Sequence, residues 1–183
     1  MALTYTPVCD FNIPAPHFEL TDPQGKLYSL EDCRGPQGLL VMFICNHCPY
    51  VKAILPVLIA DTRTLIHDGI GCVAIMPNDY QAYSDDAPEA MLRIAKKYDF
   101  PFPYLIDERQ SVAKAFGAVC TPDFFGYNAQ LALQYRGRFA VNQSLQSINP
   151  ADHELLLAMR EVAKTGQGPE LQKPSMGCSI KWR

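Results

Sequence analysis

No stretch of the 183-residue sequence approaches the roughly 18 continuous apolar residues that a membrane-spanning helix needs, so no membrane span is expected. Lysine and arginine are not gathered anywhere: 16 basic side chains are dispersed against 19 acidic ones, for a formal net charge of −3. A nucleic-acid surface needs clustered cations to offset phosphate charge, so no nucleic-acid partner is expected. The first ten residues have neither a basic region nor an apolar core; a secretory leader is not expected, and the chain is read as cytoplasmic. No second Cys-x-x-Cys and no closely spaced histidine pair accompanies Cys45 and Cys48, so a structural zinc site lacks half its ligands and neither metal nor cofactor is expected. No internal repeat or break in composition divides the chain. Residues 1–183 are read as one domain with a tail over 167–183, long enough to bury a sizeable core.

What is present is organised around Leu39–Pro49. Gly38–Ile44 is continuously apolar, as a strand buried on both faces should be. It delivers Cys45-Asn-His-Cys48 to a segment, Pro49–His67, whose apolar positions Val51, Leu55, Leu58, Ile59, Leu65 and Ile66 repeat at helical spacing around Pro56. Asp68-Gly69 ends that helix and Ile70–Met76 is the next buried strand. Before these, Phe18–Leu30 reads as a hairpin turning at Asp22–Gly25, and Leu30–Arg34 as one helical turn. After them come a polar loop over Pro77–Asp85, a helix capped by Ser84 or Asp86, a short strand at Tyr104–Ile106 and a short helix over Gln110–Phe116. A second hairpin at Phe124–Tyr127 and Leu131–Tyr135 and a last helix beginning at Pro150 complete the order. Alternating strands and helices with a terminal hairpin predict an α/β fold with a mixed sheet.

Seven cysteines (9, 33, 45, 48, 72, 120 and 178) are an odd number; in a cytoplasmic chain they read as reduced thiols with one working pair, not a disulfide framework. Two cysteines three apart at a strand-to-helix junction can close a disulfide. The unpaired N–H groups and partial positive charge of the helix start are expected to stabilise a thiolate at Cys45, the nucleophile, with Cys48 resolving. His47, between them, is read as tuning that thiolate, against an incidental exposed histidine.

The chain resembles the thioredoxin superfamily, in a strand ending in Cys-x-x-Cys, the following helix, and Thr121-Pro122 before a terminal hairpin and helix. A nearer likeness is to the peroxiredoxin-like group of the AhpC/TSA (redoxin) branch. It is carried by Phe18-x-Leu-x-Asp22-x-x-Gly25, Cys45-Asn-His-Cys-Pro-Tyr-Val-Lys52, Phe102-Pro-Tyr-Leu-x-Asp107-Glu-x-Gln110, Cys120-Thr-Pro-Asp-Phe124, Tyr135-Arg-Gly137 and the tail from Lys173 to Trp182. The resemblance implies a thioredoxin-like fold, a central mixed sheet flanked by helices with an N-terminal hairpin and a helical insertion. It implies a cis-proline at Pro122 opposite the disulfide, with the Thr121-Pro122 backbone docking substrate. It also departs from both relatives. Aligning the reactive cysteine of peroxiredoxins with Cys48 puts Cys45 where their threonine stands and Val41 where their proline stands. Ile44 replaces the tryptophan of thioredoxins, and Gly38–Ile44 contains no acid.

The leading functional reading is a thiol–disulfide oxidoreductase acting through Cys45 and Cys48 on a disulfide-bearing protein or low-molecular-weight thiol, served by a cellular dithiol reductant. Beside it stand an antioxidant thiol peroxidase with Cys48 peroxidatic, and a redox-sensing binding module without turnover. Cys120 is read either as a third thiol near the pair or as a small residue filling the turn. Asp107–Arg109 reads as a solvated turn, Arg136 and Arg138 as exposed strand-end charges or, on the sharper reading, peroxide-polarising groups. Trp182 is expected to anchor the tail.

Overall fold

The computed structural model describes residues 3–141 and 152–183. The strand β4 (Gly38–Phe43) is its centre, and every residue in it is buried. Leu40 and Met42 point into one apolar cluster, Leu39, Val41 and Phe43 into another, which is why the sequence runs apolar without alternation. β4 pairs antiparallel along its length with β8 (Asp123–Asn128), which pairs with β9 (Leu133–Tyr135). On the other side runs β5 (Ile70–Met76), which is parallel to β6 (Tyr104–Ile106). The hairpin of β2 (Glu19–Thr21) and β3 (Leu27–Ser29) extends that side through β6. The Ile44 N–H donates to the Ile75 carbonyl at 3.1 Å, tying the end of β4 to β5.

The helices follow the predicted order. α1 (Leu30–Cys33) is closed by a capping box in which Ser29 and Asp32 satisfy each other's backbone N–H groups. α2 (Pro49–His67) has proline at its first position, where the missing N–H costs nothing, and continues through Pro56. α3 (Pro88–Tyr98) forms the insertion between β5 and β6, α4 (Ser111–Phe116) follows β6, and α5 (Glu154–Thr165) packs Leu155, Ala158, Met159 and Val162 inward. The proposed start of the last helix, Pro150, lies outside the described residues. α2 and α5 bury their apolar faces against Leu40, Met42 and Phe124, while Phe116 of α4 meets Phe43 and Phe125 edge-on.

Three short strands have no counterpart in the expected order, one of them the two residues Cys120–Thr121 just before Pro122. β1 (Leu3–Tyr5) lies where an irregular lead-in was expected, and β10 (Met176–Ser179) lies in the tail. β10 runs between β1 and β7 (Cys120–Thr121), pairing Leu3 with Cys178 and Cys178 with Thr121. The tail is therefore held by strand pairing, helped by Lys181 N–H to Asn78 at 2.8 Å and Arg183 N–H to Gln110 at 2.9 Å. Trp182, expected to be the anchor, is 43% exposed, with the Lys114 ammonium 5.5 Å from its ring.

One close backbone approach fixes how α1 meets the sheet. A Cβ on Gly71 in β5 would collide with the Cys33 carbonyl and the backbone of Arg34 and Gly35. Backbone cannot yield as a side-chain tip does, so Gly71→Ala is expected to cost about 2–4 kcal/mol, read as a lower midpoint in urea unfolding with an unchanged slope.

Candidate active site

Cys45 follows β4 after one residue, and Cys48 is the N-cap residue of α2. This corrects the expectation that the helix start serves Cys45: the orphan N–H groups lie next to Cys48 instead. Both thiols are buried, Cys45 at 1% exposure and Cys48 at 0%. Opposite them stands Thr121, joined to Pro122 by a cis peptide bond. The Thr121 Oγ1 lies 3.3 Å from the Cys45 sulfur, and the Thr121 carbonyl 3.0 Å from the Cys48 sulfur.

The two thiols titrate together. The hydrogen bond from the Cys45 thiol draws Cys48 down to about 5, with the Val51 N–H of the first helical turn and the Cys178 groups adding to it against the cost of burial. Cys45 is pushed above its ordinary value by donating a hydrogen bond to Cys48, then by burial and by the charge of Asp86, with Thr121 pulling the other way. The stable arrangement is one proton between two sulfurs, with the negative charge on Cys48 at the helix N-terminus.

The acid absent from Gly38–Ile44 is supplied from elsewhere. Asp86 ends a 3-10 turn (Ser84–Asp86) and is fully buried. Its carboxylate accepts the Asn46 N–H at 2.7 Å, the His47 N–H at 3.3 Å, the His47 ring Nδ1 at 2.7 Å and the Asn78 side-chain amide at 2.9 Å. Asp86 does not cap α3, as the sequence suggested; Ala87 is the N-cap there. The carboxylate instead fixes the two residues between the cysteines. His47 is held by it and lies flat against Tyr83, ring centroids 5.5 Å apart and 13° between planes. Asn46 is held further by donating to the Asp85 carbonyl at 2.9 Å and accepting from the Tyr104 hydroxyl at 3.1 Å. The Cys45 sulfur, a His47 ring nitrogen and an Asp86 oxygen lie within 4.8 Å of one another. A metal there would have to displace the donors that already fill both Asp86 oxygens.

Several sequence-predicted residues are placed differently from expectation. Of the two readings of Cys120, its placement agrees with the residue filling the turn and not with the third thiol: it is buried on β7 with its sulfur against the Pro122 carbonyl at 3.4 Å, and burial pushes its thiol up. The sulfur that does reach the pair is Cys178 on β10, 3.3 Å from that of Cys48. Burial, and then the hydrogen bond to Cys48, push the Cys178 thiol up to about 11. The strand edge expected to receive substrate backbone at Thr121 is taken by β10 of the chain itself. Arg136 is buried, donating to Asp123 at 3.1 Å and to the Gly117 carbonyl at 2.7 Å, and Arg138 is bound by both oxygens of Glu154 at 2.6 and 2.8 Å. Both guanidiniums are committed to carboxylates, so neither stands ready for a peroxide. Asp107, read as solvated, is 1% exposed and accepts the Ala113 N–H of α4 at 2.7 Å. Asp86 and Cys178 carry no sequence signal of their own; the one clue to Cys178 is its place in the tail segment that shares the family resemblance.

Known proteins bear on this geometry at three distances. An uncharacterized conserved protein from Geobacillus kaustophilus is 38% identical, covering 100% of this chain and 97% of its own, with a TM-score of 0.91. A thiol-disulfide oxidoreductase, ResA, of Bacillus thuringiensis is 26% identical over 111 residues; the match spans 61% of this chain and 60% of that relative's length. A thiol-disulfide oxidoreductase from Bacteroides fragilis shares the thioredoxin-like fold at 18% identity, with a TM-score of 0.55 over 68% of this chain and 89% of that one. The AhpC/TSA family matches residues 12–145, the span from the lead-in of the first hairpin through both cysteines and the cis-proline, and the chain belongs to that family.

Proposed function

We propose that the protein is a thiol–disulfide oxidoreductase whose Cys45 and Cys48 cycle between dithiol and disulfide, acting on a disulfide-bearing protein or low-molecular-weight disulfide and recharged by a cellular dithiol. The observation that carries this is geometric: two buried cysteines three apart, the second capping α2, both facing Thr121 beside a cis-proline, with the Cys48 thiol drawn down by the hydrogen bond from Cys45. In the oxidative half-reaction the Cys45 proton passes to Cys48, and the Cys45 thiolate attacks a substrate sulfur. The S–S bond of the substrate breaks as the mixed disulfide forms. The expelled thiolate takes the proton from Cys48, which then attacks the Cys45 sulfur and releases the second substrate thiolate. His47, pinned by Asp86 and Tyr83, holds the intervening loop for both steps. The substrate approaches on the side of the open hollow of about 270 Å³ between His47 and residues 82–85, because β10 covers the edge at Thr121.

Cys45→Ser is expected to lower glutathione-disulfide or insulin exchange by at least about 10³-fold, as loss of a nucleophile does. Cys48→Ser should instead accumulate a mixed disulfide on Cys45, seen as a mass increment that a reductant removes. Wild-type turnover in the Cys45→Ser variant would overturn the assignment. The low value at Cys48 also suits a peroxidatic thiol. Rapid hydrogen peroxide consumption that depends on Cys48 while disulfide exchange stays slow would favour that second reading.

A further inference from the structure

Three sulfurs, not two, meet at the start of α2. Cys178 comes from the far end of the chain, delivered by β10 between β1 and β7. Its Cα is the register partner of Thr121, the residue whose hydroxyl contacts Cys45 and whose carbonyl contacts Cys48. The approach is built in. A Cβ on Gly177 would collide with the Thr121 carbonyl and lie 3.0 Å from the Pro122 nitrogen, so only glycine lets β10 lie this close to the cis-proline segment. The result is a Cys178 sulfur 3.3 Å from that of Cys48. Cys120, two residues from Pro122 in sequence, points its sulfur at the Pro122 carbonyl.

We propose that Cys178 is a third redox-active cysteine, which takes Cys48 over from Cys45 by intramolecular disulfide exchange. The inference rests on the oxidoreductase reading of the Cys45–Cys48 pair and adds a step to it. Once the Cys45–Cys48 disulfide has formed, the Cys178 thiol gives up its proton and its sulfur attacks the Cys48 sulfur. A Cys48–Cys178 bond forms and the Cys45–Cys48 bond breaks. Cys45 leaves as a thiolate and takes up the proton that Cys178 released. Two electrons pass from Cys178 to Cys45 and no outside oxidant is consumed. The consequence is that Cys45 returns to its reduced form while the oxidising equivalent is stored beside it, in a bond that also ties β10 to the start of α2. The protonated state of Cys178 in the reduced protein fits this order, because the third thiol stays idle until Cys48 is part of a disulfide.

The test is disulfide mapping of the intact chain. Wild-type protein is oxidised with glutathione disulfide over a series of ratios to glutathione, alkylated, digested and sequenced by tandem mass spectrometry. Cys45 and Cys48 share the tryptic peptide between Arg34 and Lys52, so their mutual bond appears within one peptide and a Cys178 bond joins two. The expected result is both species, with fragment ions placing the inter-peptide bond at Cys48 and an alkylated Cys45 in the same molecules. Gly177→Ala keeps all the thiols but pushes β10 off Thr121, and should lose the joined peptides while retaining the Cys45–Cys48 bond. Full alkylation of Cys178 in every oxidised wild-type molecule, with Cys45–Cys48 intact, would overturn the third-thiol step and leave the oxidoreductase reading standing. Equally, joined peptides undiminished in a folded Gly177→Ala protein would show that the strand placement is not what brings the sulfurs together. Absence of any disulfide at Cys45 or Cys48 would instead bring down the underlying reading.

Discussion

Ultraviolet thiolate absorbance of the reduced protein should rise with a midpoint near pH 5 and disappear in Cys48→Ser, whereas an ordinary cysteine would titrate near 9.0. The cause is local. Cys48 caps α2, accepts a hydrogen bond from the Cys45 thiol, and has the first-turn N–H groups beside it. At neutral pH this is a change from about one thiolate in a hundred to almost complete ionisation. Folding stability must follow it. Between about pH 5 and 9.0 the unfolded chain keeps a proton on Cys48 that the folded, reduced protein has released, so stability rises with pH across that window. The contribution is complete above the unfolded value and is lost as pH falls through about 5. The slope approaches about 1.4 kcal/mol per pH unit for one proton. Cys45 is shifted the other way and opposes this only above its ordinary value, outside the window. Urea unfolding of the reduced protein at several pH values measures the slope. The oxidised protein, with no thiol at Cys48, should lack it. A pH-independent difference between reduced and oxidised stability would contradict the low value at Cys48. The same thiolate stabilisation favours the reduced form, and each 1.4 kcal/mol of it makes the pair about 30 mV more oxidising.

The parts of this site that the sequence makes legible are those fixed by local pattern. The unbroken apolar run of β4 and the three-and-four spacing of α2 each reflect burial in the adjacent clusters, and Pro49 marks the helix start. The cis-proline position follows from the family likeness. What stays illegible is set by partners far away in the chain. β1 and β10 are short strands whose meaning lies in the pairing of Leu3 with Cys178, across almost the whole sequence. Neither has the length or the alternation that marks a strand by itself. Arg136 and Asp107 look solvated because charged residues usually are, yet Asp123 and the start of α4 make burial of each tolerable. Cys120 looks nearer to the pair than Cys178 because sequence distance to Pro122 is visible and strand register is not. Asp86 is the clearest case. A carboxylate two residues before a proline reads as a helix cap, and nothing local reveals that its oxygens turn back to residues 46 and 47.

That buried carboxylate carries the other large expected effect. Asp86→Asn puts two N–H donors where an oxygen accepted the His47 ring and the Asn78 amide, and both of those groups lose an acceptor. The substitution is expected to cost about 3 kcal/mol of stability, the range for breaking a buried, hydrogen-bonded charge network. Its effect on exchange has the opposite character. Asp86 is one of the groups that hold Cys45 above its ordinary value, through the repulsion between its charge and a Cys45 thiolate. Removing that charge should lower the Cys45 value. Cys45 still holds its proton at neutral pH, so the potential is little changed, but the attacking Cys45 thiolate forms more readily. Exchange per folded molecule should rise, by up to about tenfold for each 1.4 kcal/mol of repulsion removed. A merely structural Asp86 would lower the unfolding midpoint and leave the exchange rate of the folded protein where it was. Slower exchange would contradict the electrostatic role outright. The two readouts also separate Asp86 from His47. His47→Phe keeps the carboxylate charge and the contact with Tyr83 while deleting the ring hydrogen bond, so it should loosen the loop without speeding exchange. If instead both variants speed exchange equally, the field at Cys45 comes through the histidine rather than from the carboxylate.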